Sequence, residues 1–304
     1  MANTTNTATK SANPWIHYLR ITIGPLTGTE KEDTEGRTIQ FESSGNRNSL
    51  KCECTINTSI MGIPQPSTIT IYNLSEATRN SIRKGLTKVK VEAGWGNIGY
   101  TTIFTGSIIN VNTNVNGVDN CTTLSCIAGY ANFVSATSTF TFAENEAVSN
   151  VIRKVVATLK NINIDETSLA TITTRISNGG YSFAGRTLDC LNELASLYGF
   201  SWHIENGIMY CKKDGVMLGK ALKVAGQGGG LISVQPIQQG VMQITTGVKA
   251  EFYYVSGLKA GCTIEIDSKF NPKLNGKYIA HTCTTTLGTF DSTWKSEVEC
   301  YKSF

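Results

Sequence analysis

The segment Ser67–Ser75, with the sequence STITIYNLS, changes from one structural period to another. Its apolar side chains first alternate through Ile69 and Ile71, which is the pattern of a half-buried β-strand. The alternation then stops, and Ser75 stands immediately before Glu76, where a serine suits a helix N-cap. The segment therefore predicts a strand that leads directly into a short helix.

The predicted helix covers about ten residues and ends at Arg83-Lys84-Gly85, where cations suit the helix dipole and glycine suits the C′ position. Asn116-Gly117 is a hairpin signal further along the chain. Strand patterns surround the helix, at residues 15–23, 50–56, 67–72, 88–93, 101–113 and 120–128. We interpret residues 15–135 as a first antiparallel β-barrel domain with a short inserted helix.

Helical periodicity appears in the next part of the chain, residues 136–225. Residues 144–160 carry apolar side chains at i, i+3, i+4, i+7, i+8 and i+11, which predicts an amphipathic helix. A second helix is predicted over 188–198, with Gly199 after it. A hairpin follows around Asn206-Gly207, with strands at 201–205 and 208–212. These elements predict a small α+β insert domain.

The glycine-rich run Gly226–Gly230 opens the last part of the chain, residues 226–304. Strand patterns dominate there, at residues 243–255, 263–267, 276–286 and 292–301. We interpret this part as a second β-barrel domain. Residues 1–14 are polar and are predicted to form a flexible arm. The fold class is therefore mainly β with a small α+β insert between two antiparallel β-barrel domains.

Charge is sparse along the chain of 304 residues, since only 16% are Asp, Glu, Lys or Arg, against about 25% in typical globular proteins. The core of a protein interface is depleted in charge, so this composition fits permanent contacts with neighbours. The net charge is only +4. The densest basic cluster, Arg83, Lys84, Lys88 and Lys90, is interpreted as a solvated helix end and strand face. A nucleic-acid-binding stripe is not indicated.

Nine cysteines are present, with no CxxC pair and no histidine at metal-ligand spacing. They are interpreted as small buried thiols of a protein assembled in a reducing compartment. The polar N-terminal residues do not resemble a signal peptide, and no apolar run reaches the ~18 residues of a membrane helix. We therefore expect synthesis in the cytoplasm and no membrane span.

The search for chemistry yields no candidate catalytic, metal-binding or cofactor-binding residue. His17, His203 and His281 each occupy a strand pattern and are expected to make ordinary hydrogen bonds. Asp165 and Glu166 are adjacent, so they do not face one reacting centre. Glu265 and Asp267 alternate on one strand face, where a catalytic dyad is conceivable, but they are interpreted as a solvated strand face. The run Gly226–Gly230 lacks the following helix that a phosphate site needs. The sequence therefore predicts no enzyme active site, no metal and no cofactor.

Three segments, in order, resemble the central hub proteins of contractile phage tail baseplates. The first joins Ser67–Ser75 and its helix to VKVEAGW at 89–95 and IFTGSI at 103–108. The second is the helix-then-strand segment 186–202. The third comprises LKAGCTIEI at 258–266, NGKYI at 275–279 with His281, and WKSEV at 294–298. One departure is Thr282-Cys283-Thr284, where family members often have Gly-Asp after the histidine.

The resemblance implies a virion protein that forms a homotrimer with two tail-tube-like barrels in each chain. Three copies then give a pseudo-sixfold ring that joins a sixfold tail tube to a threefold spike. The implied partners are the tail tube protein, the spike protein and other baseplate proteins. Phage DNA would pass through the lumen without sequence-specific binding.

Other functions are compatible with a mainly-β chain of this kind. A tail-tube or tube-terminator protein is one, although such proteins usually need a single barrel. A tail-associated cell-wall hydrolase would need a carboxylate pair or a zinc site. A glycan-binding module would use exposed aromatic residues.

Overall fold

The computed structural model describes residues 16–24, 38–43, 49–84, 87–96, 99–217, 219, 221–225, 230–239, 244–290 and 294–302. These residues fall into two compact units. Unit 1 takes the described parts of Met1–Ile56, Ser67–Cys126 and Thr286–Trp294, and unit 2 takes those of Asn57–Pro66, Ile127–Thr285 and Lys295–Phe304. The predicted flexible arm at 1–14, Trp15 and Gly85 lie outside the described residues.

Unit 1 is built mainly from antiparallel strands. Its elements are β1 (His17–Ile23), β2 (Ile39–Ser43), β3 (Cys52–Ser59), β4 (Ser67–Tyr72), α1 (Glu76–Lys84), β5 (Lys88–Trp95), β6 (Thr101–Asn116) and β7 (Asp119–Ile127). The strands pair in the order β3-β4-β7-β6-β5-β1-β2. The last residues of β3 and of β7 belong to unit 2.

The alternation seen in the sequence places the core of unit 1. Ile69 and Ile71 of β4 are completely buried, and Cys52 and Cys54 of β3 are buried on the same face of their strand. Fully burying an aliphatic side chain contributes about 1.5–3 kcal/mol. Leu50, the first residue of the strand predicted over 50–56, instead precedes β3 and is exposed.

The predicted helix start is confirmed. The backbone amide of Thr78 donates a hydrogen bond to Ser75 Oγ at 3.2 Å, and α1 begins at Glu76. The side chain thus satisfies one of the amides that a helix N-terminus leaves without a partner.

Replacing Ser75 by alanine is expected to destabilise the protein by about 1 kcal/mol, because that amide loses its acceptor. Ser81→Ala is the matched control, since Ser81 lies within the helix and donates only to the Ala77 carbonyl. Urea unfolding of both variants checks the prediction. Equal losses of stability in the two variants would contradict the capping role.

The α+β part of unit 2 follows. It comprises α2 (Tyr130–Ser135), β8 (Thr137–Phe142), α3 (Val148–Val156), β9 (Asn163–Ile164), α4 (Glu166–Leu169), β10 (Tyr181–Arg186), α5 (Thr187–Tyr198), β11 (Phe200–Glu205) and β12 (Ile208–Lys213). Strand β8 pairs with β10, and β11, β12 and β9 form a second small sheet. The helices α3 and α5 pack their predicted apolar faces into one core with Trp202 and Met209.

Helix α3 is shorter than the helix predicted over 144–160. The residues before it are held by backbone hydrogen bonds instead: the Asn145 amide donates to the Ile176 carbonyl, and the Ile176 amide donates to the Glu146 carbonyl. Asn145 also has a positive φ of 65°, which a helix excludes. Pairing with a distant segment therefore overrides the local helical pattern. The hairpin at Asn206-Gly207 is confirmed, with both residues at positive φ.

Strands return in the last part of unit 2. They are β13 (Leu222–Ala225), β14 (Leu231–Gln239), β15 (Ile244–Tyr253), β16 (Thr263–Asp267), β17 (Gly276–Gly288) and β18 (Lys295–Tyr301), with a 3-10 turn at Pro272–Leu274. The order is β14-β15-β18-β17, and β16 pairs antiparallel with β17 and parallel with β13. The last residues of β17 belong to unit 1. The core includes Phe252, Ile264 and Tyr278.

The mainly-β class with an α+β segment is thus confirmed. The three-domain division, with boundaries at 135/136 and 225/226, stays a prediction.

Candidate functional site

Three of the four acids considered in the sequence make structural contacts. Asp165 Oδ2 accepts a hydrogen bond from the Ser168 amide at 2.7 Å and so caps α4. Glu166 forms an ion pair with Arg153 at 2.7 Å. Asp267 lies 3.8 Å from Lys223 Nζ. Across the described residues, no group of three or more His, Cys, Asp or Glu side chains is arranged to hold a metal ion.

The nine cysteines are free thiols, seven of them buried and two half-buried. Burial raises the pKa of the Cys54 thiol well above its usual value. The predicted role as small buried side chains is confirmed for the seven. Of the glycine-rich run, only Gly230 is described, and β14 begins directly after it.

The three histidines lie on different strands. His17 of β1 stacks on Trp294, with ring centroids 4.5 Å apart, and meets Trp95 edge-on at 4.8 Å. His281 of β17 packs against Tyr301 at 4.6 Å. Both contacts are those of packed aromatic residues.

His203 differs from the expectation of an ordinary hydrogen bond. Its Nε2 is buried and lies 3.9 Å from Glu205 Oε2. Neither atom has a hydrogen-bond partner within the described part of the chain. Burial raises the pKa of Glu205 to about 7, against the opposing effect of Lys259. Burial, assisted by Lys212 and Lys259, lowers the pKa of His203 to about 4. Nothing in the sequence marked Glu205, which reads as one polar position of a hairpin strand.

A distinctive surface of unit 1 is the end of the β6–β7 hairpin, residues 107–121. We call this hairpin end the arm from here on; it is separate from the flexible segment predicted at 1–14. None of its residues is buried, whereas Gly106 before it and Thr122 after it are. Val115 is 73% exposed and Val118 is 98% exposed, with Ile109 exposed nearer the base. An isolated two-stranded hairpin is marginally stable in water. An arm with apolar side chains outward is therefore suited to contact a partner.

The arm is longer than the sequence predicted. The turn was expected over 114–120, but β6 continues to Asn116 and only Gly117 and Val118 form the turn. Gly117 supplies the positive φ of 63° that this tight turn requires. Asn116-Gly117 thus indicated the position of the turn correctly. The polar Asn and Thr residues before it gave no strand pattern, so the end of β6 was not predicted.

Open strand edges are a second candidate assembly feature. In unit 1, β2 pairs only with β1 among the described strands, and in unit 2, β14 pairs only with β15. Pro236 lies within β14, which is characteristic of edge strands because proline cannot donate to a ladder. Unpaired backbone groups at an edge form a template for another strand. Each unit therefore offers an edge that a neighbouring chain can extend.

The family is established by the sequence. Residues 37–300 match the family described as baseplate hub gp41. This chain belongs to that family of phage baseplate hub proteins. The match spans all three segments on which the resemblance rested, so the recognition is confirmed. No curated protein is similar enough in sequence to count as a relative of this hub-family chain.

Solved structures share the fold of this hub-family chain at low identity. The tail protein from Neisseria meningitidis has a TM-score of 0.61 and 9% identity, over 95% of this chain and 97% of its own. The 43 kDa tail protein of prophage MuSo2 from Shewanella oneidensis has a TM-score of 0.58 and 9% identity, over 94% of this chain and 98% of its own.

A third structure is a component of the E. coli type VI secretion system, described as similar to the T4 tail proteins gp27 and gp5. It has a TM-score of 0.55 and 8% identity, over 83% of this chain and 73% of its own. These likenesses concern the fold. In the described parts of this hub-family chain, every helix is too short or too polar to cross a bilayer.

Proposed function

We propose that the chain assembles as a homotrimer at the centre of the tail baseplate of a contractile-tailed phage. The observation that carries the proposal is the match of residues 37–300 to the baseplate hub family. In the ring, each chain contributes two tail-tube-like barrels, one from residues 15–135 and one from 226–304. Three chains thereby present six similar barrels.

Symmetry is the physical reason for such a design. A ring closes only when one surface of each copy meets a different surface of the next with the correct rotation. Two related barrels in each chain let three copies match a sixfold tail tube on one side and a threefold spike on the other. The exposed apolar arm and the open edges at β2 and β14 supply unlike surfaces for such contacts.

The ring surrounds the channel through which phage DNA leaves the virion. A net charge of +4 with scattered cations suits passage without sequence-specific binding. The partners are the tail tube protein, the spike protein and other baseplate proteins. The role is mechanical and requires no catalytic residue, metal or cofactor. The protein is made in the host cytoplasm and ends in the virion tail.

The oligomeric state tests the proposal. Native mass spectrometry of the purified chain, with and without its tube and spike proteins, is expected to give three copies of the 32.9 kDa chain. Axial images of the assembled particle are expected to show a threefold ring with six lobes and a central channel. A stable monomer that binds neither protein would overturn the proposal, and a hexamer would favour a tube or tube-terminator role.

A further inference from the structure

A pocket of about 310 Å³ lies in unit 2, beside the hairpin β11–β12. Its lining residues include Ile60, His203, Tyr210, Lys212, Lys259 and Cys262. The volume is at the lower end of the range for small-molecule sites in proteins, about 300–1,000 Å³. The assembly role proposed above does not use this pocket.

Two lysines border the pocket. Lys212 Nζ donates a hydrogen bond to the Gly261 carbonyl at 2.9 Å, and Lys259 Nζ donates to the Tyr210 hydroxyl at 3.0 Å. An ammonium group carries three hydrogens, so each of these bonds leaves further donor capacity. Among the described lining residues the one carboxylate is that of Asp165, and the Ser168 amide donates a hydrogen bond to it at 2.7 Å. The wall therefore carries more positive than negative charge.

A buried polar atom adds an independent observation. The His203 side chain is only 10% exposed, lines the pocket, and stacks on Tyr210 with centroids 5.1 Å apart. Its Nε2 lacks a hydrogen-bond partner within the described residues. The imidazole ring is thus a fixed, buried part of the pocket wall, and its Nε2 lies 3.9 Å from Glu205 Oε2.

Gly261 keeps the space between these groups open. A Cβ at this position would lie 3.9 Å from Lys212 Nζ, 3.7 Å from His203 Cε1 and 3.4 Å from Ile60 Cγ2, and the residue has a φ of +79°. The lysine and the imidazole thus approach one place on the pocket wall. Much of the remaining lining is carbon, from Ile60, Ala260 and the ring of Tyr210.

We propose that this pocket binds a small organic carboxylate with an apolar body. The carboxylate bonds to the ammonium groups of Lys212 and Lys259, and the body packs on Ile60 and the Tyr210 ring. Charge-assisted hydrogen bonds between ammonium and carboxylate are about twice as strong as neutral ones. A phosphate group alone would leave the apolar part of the wall without contacts.

The test compares two probes of nearly the same shape, the anionic 3-phenylpropionate and the neutral 3-phenylpropionamide, by calorimetric titration of the full chain. The carboxylate is expected to bind about tenfold more tightly than the amide, since one charge-assisted contact corresponds to about that factor. This comparison needs no variant, so a folding defect cannot obscure it. Equal affinities, or binding of neither probe, would overturn the proposal.

Variants then locate the site. Lys212→Met and Lys259→Met are each expected to weaken binding of the carboxylate about tenfold and to leave the amide almost unaffected. Lys213→Met is the matched control, because Lys213 neighbours Lys212 but is exposed and outside the lining. An equal loss of carboxylate affinity in the control would place the probe elsewhere and overturn the assignment.

Discussion

Replacing Glu205 by glutamine is expected to stabilise the protein by about 3 kcal/mol at pH 8 and to leave its stability at pH 4 unchanged. Burial raises the pKa of Glu205 from 4.5 to about 7. One pKa unit corresponds to about 1.4 kcal/mol, so ionising the buried carboxyl costs the folded state about 3 kcal/mol. Glutamine has similar shape and never ionises.

The sign of the effect follows from the direction of the shift. A raised pKa means that the folded protein holds the Glu205 proton more tightly than the unfolded chain. This contribution to stability is present below pH 4.5 and is lost as the pH rises to about 7. His203 acts in the opposite sense, because its pKa is lowered from 6.5 to about 4. Its contribution is present above pH 6.5 and is lost as the pH falls to about 4.

In the natural protein, the changes that these two contributions to stability undergo with pH nearly cancel. Between pH 4.5 and 6.5 the Glu205–His203 pair holds about one proton in both the folded and the unfolded state, so its contribution is flat. Glu205→Gln removes one side of this balance. The variant is then expected to gain about 3 kcal/mol between pH 4 and 7 from His203 alone. His203→Asn should show the opposite trend and lose stability over the same range.

Urea unfolding at several pH values measures these changes relative to the natural chain. Glu265→Gln is the control, since it removes the same charge from β16 of the same unit. The nearby cations Lys212 and Lys259 remain in every variant. A difference between Glu205→Gln and the natural chain that stays constant from pH 4 to pH 8 would contradict the assignment of a buried, ionisable carboxyl.

The sequence predicted the elements whose pattern is local. Strand β4, the cap at Ser75 and the turn at Asn206-Gly207 depend on neighbouring residues, and each lies where the pattern indicated. The sequence did not predict the short strand β9, which pairs with β12 although α4, β10, α5 and β11 lie between them in the chain. Two residues carry no periodicity, so only the distant partner makes them a strand.

The buried pair shows the same limit at the level of side chains. His203 and Glu205 alternate on β11 with the apolar Ile204 between them, a pattern that normally means a polar, solvated face. In the structure this face is covered, and Glu205 is 7% exposed. Burial of a strand face depends on what packs over it, which a single strand does not reveal. The unpaired Nε2 of His203 was therefore outside the reach of sequence patterns.

Placing aspartate at both Val115 and Val118 is expected to abolish formation of the proposed trimer while leaving the fold intact. Val115 is 73% exposed and Val118 is 98% exposed in the single chain, and neither belongs to the buried core, so their replacement removes no core residue. Burying a valine contributes about 1.5–3 kcal/mol, and burying an unpaired carboxylate costs more. Each contact between copies is expected to weaken by more than about 100-fold, because about 3 kcal/mol corresponds to that factor.

Asn116→Asp is the matched control for charge, because it adds an aspartate at an exposed position of the same arm without removing an apolar side chain. It is expected to keep the trimer. Native mass spectrometry reports the oligomer, and urea unfolding reports the fold of each variant. If the doubly substituted chain still forms trimers that bind the tube protein, the arm is not the contact between copies. Loss of the trimer would instead assign the apolar arm to assembly if the variant unfolds at the same midpoint as the natural chain diluted to a concentration at which it is monomeric, since association itself raises apparent stability by mass action.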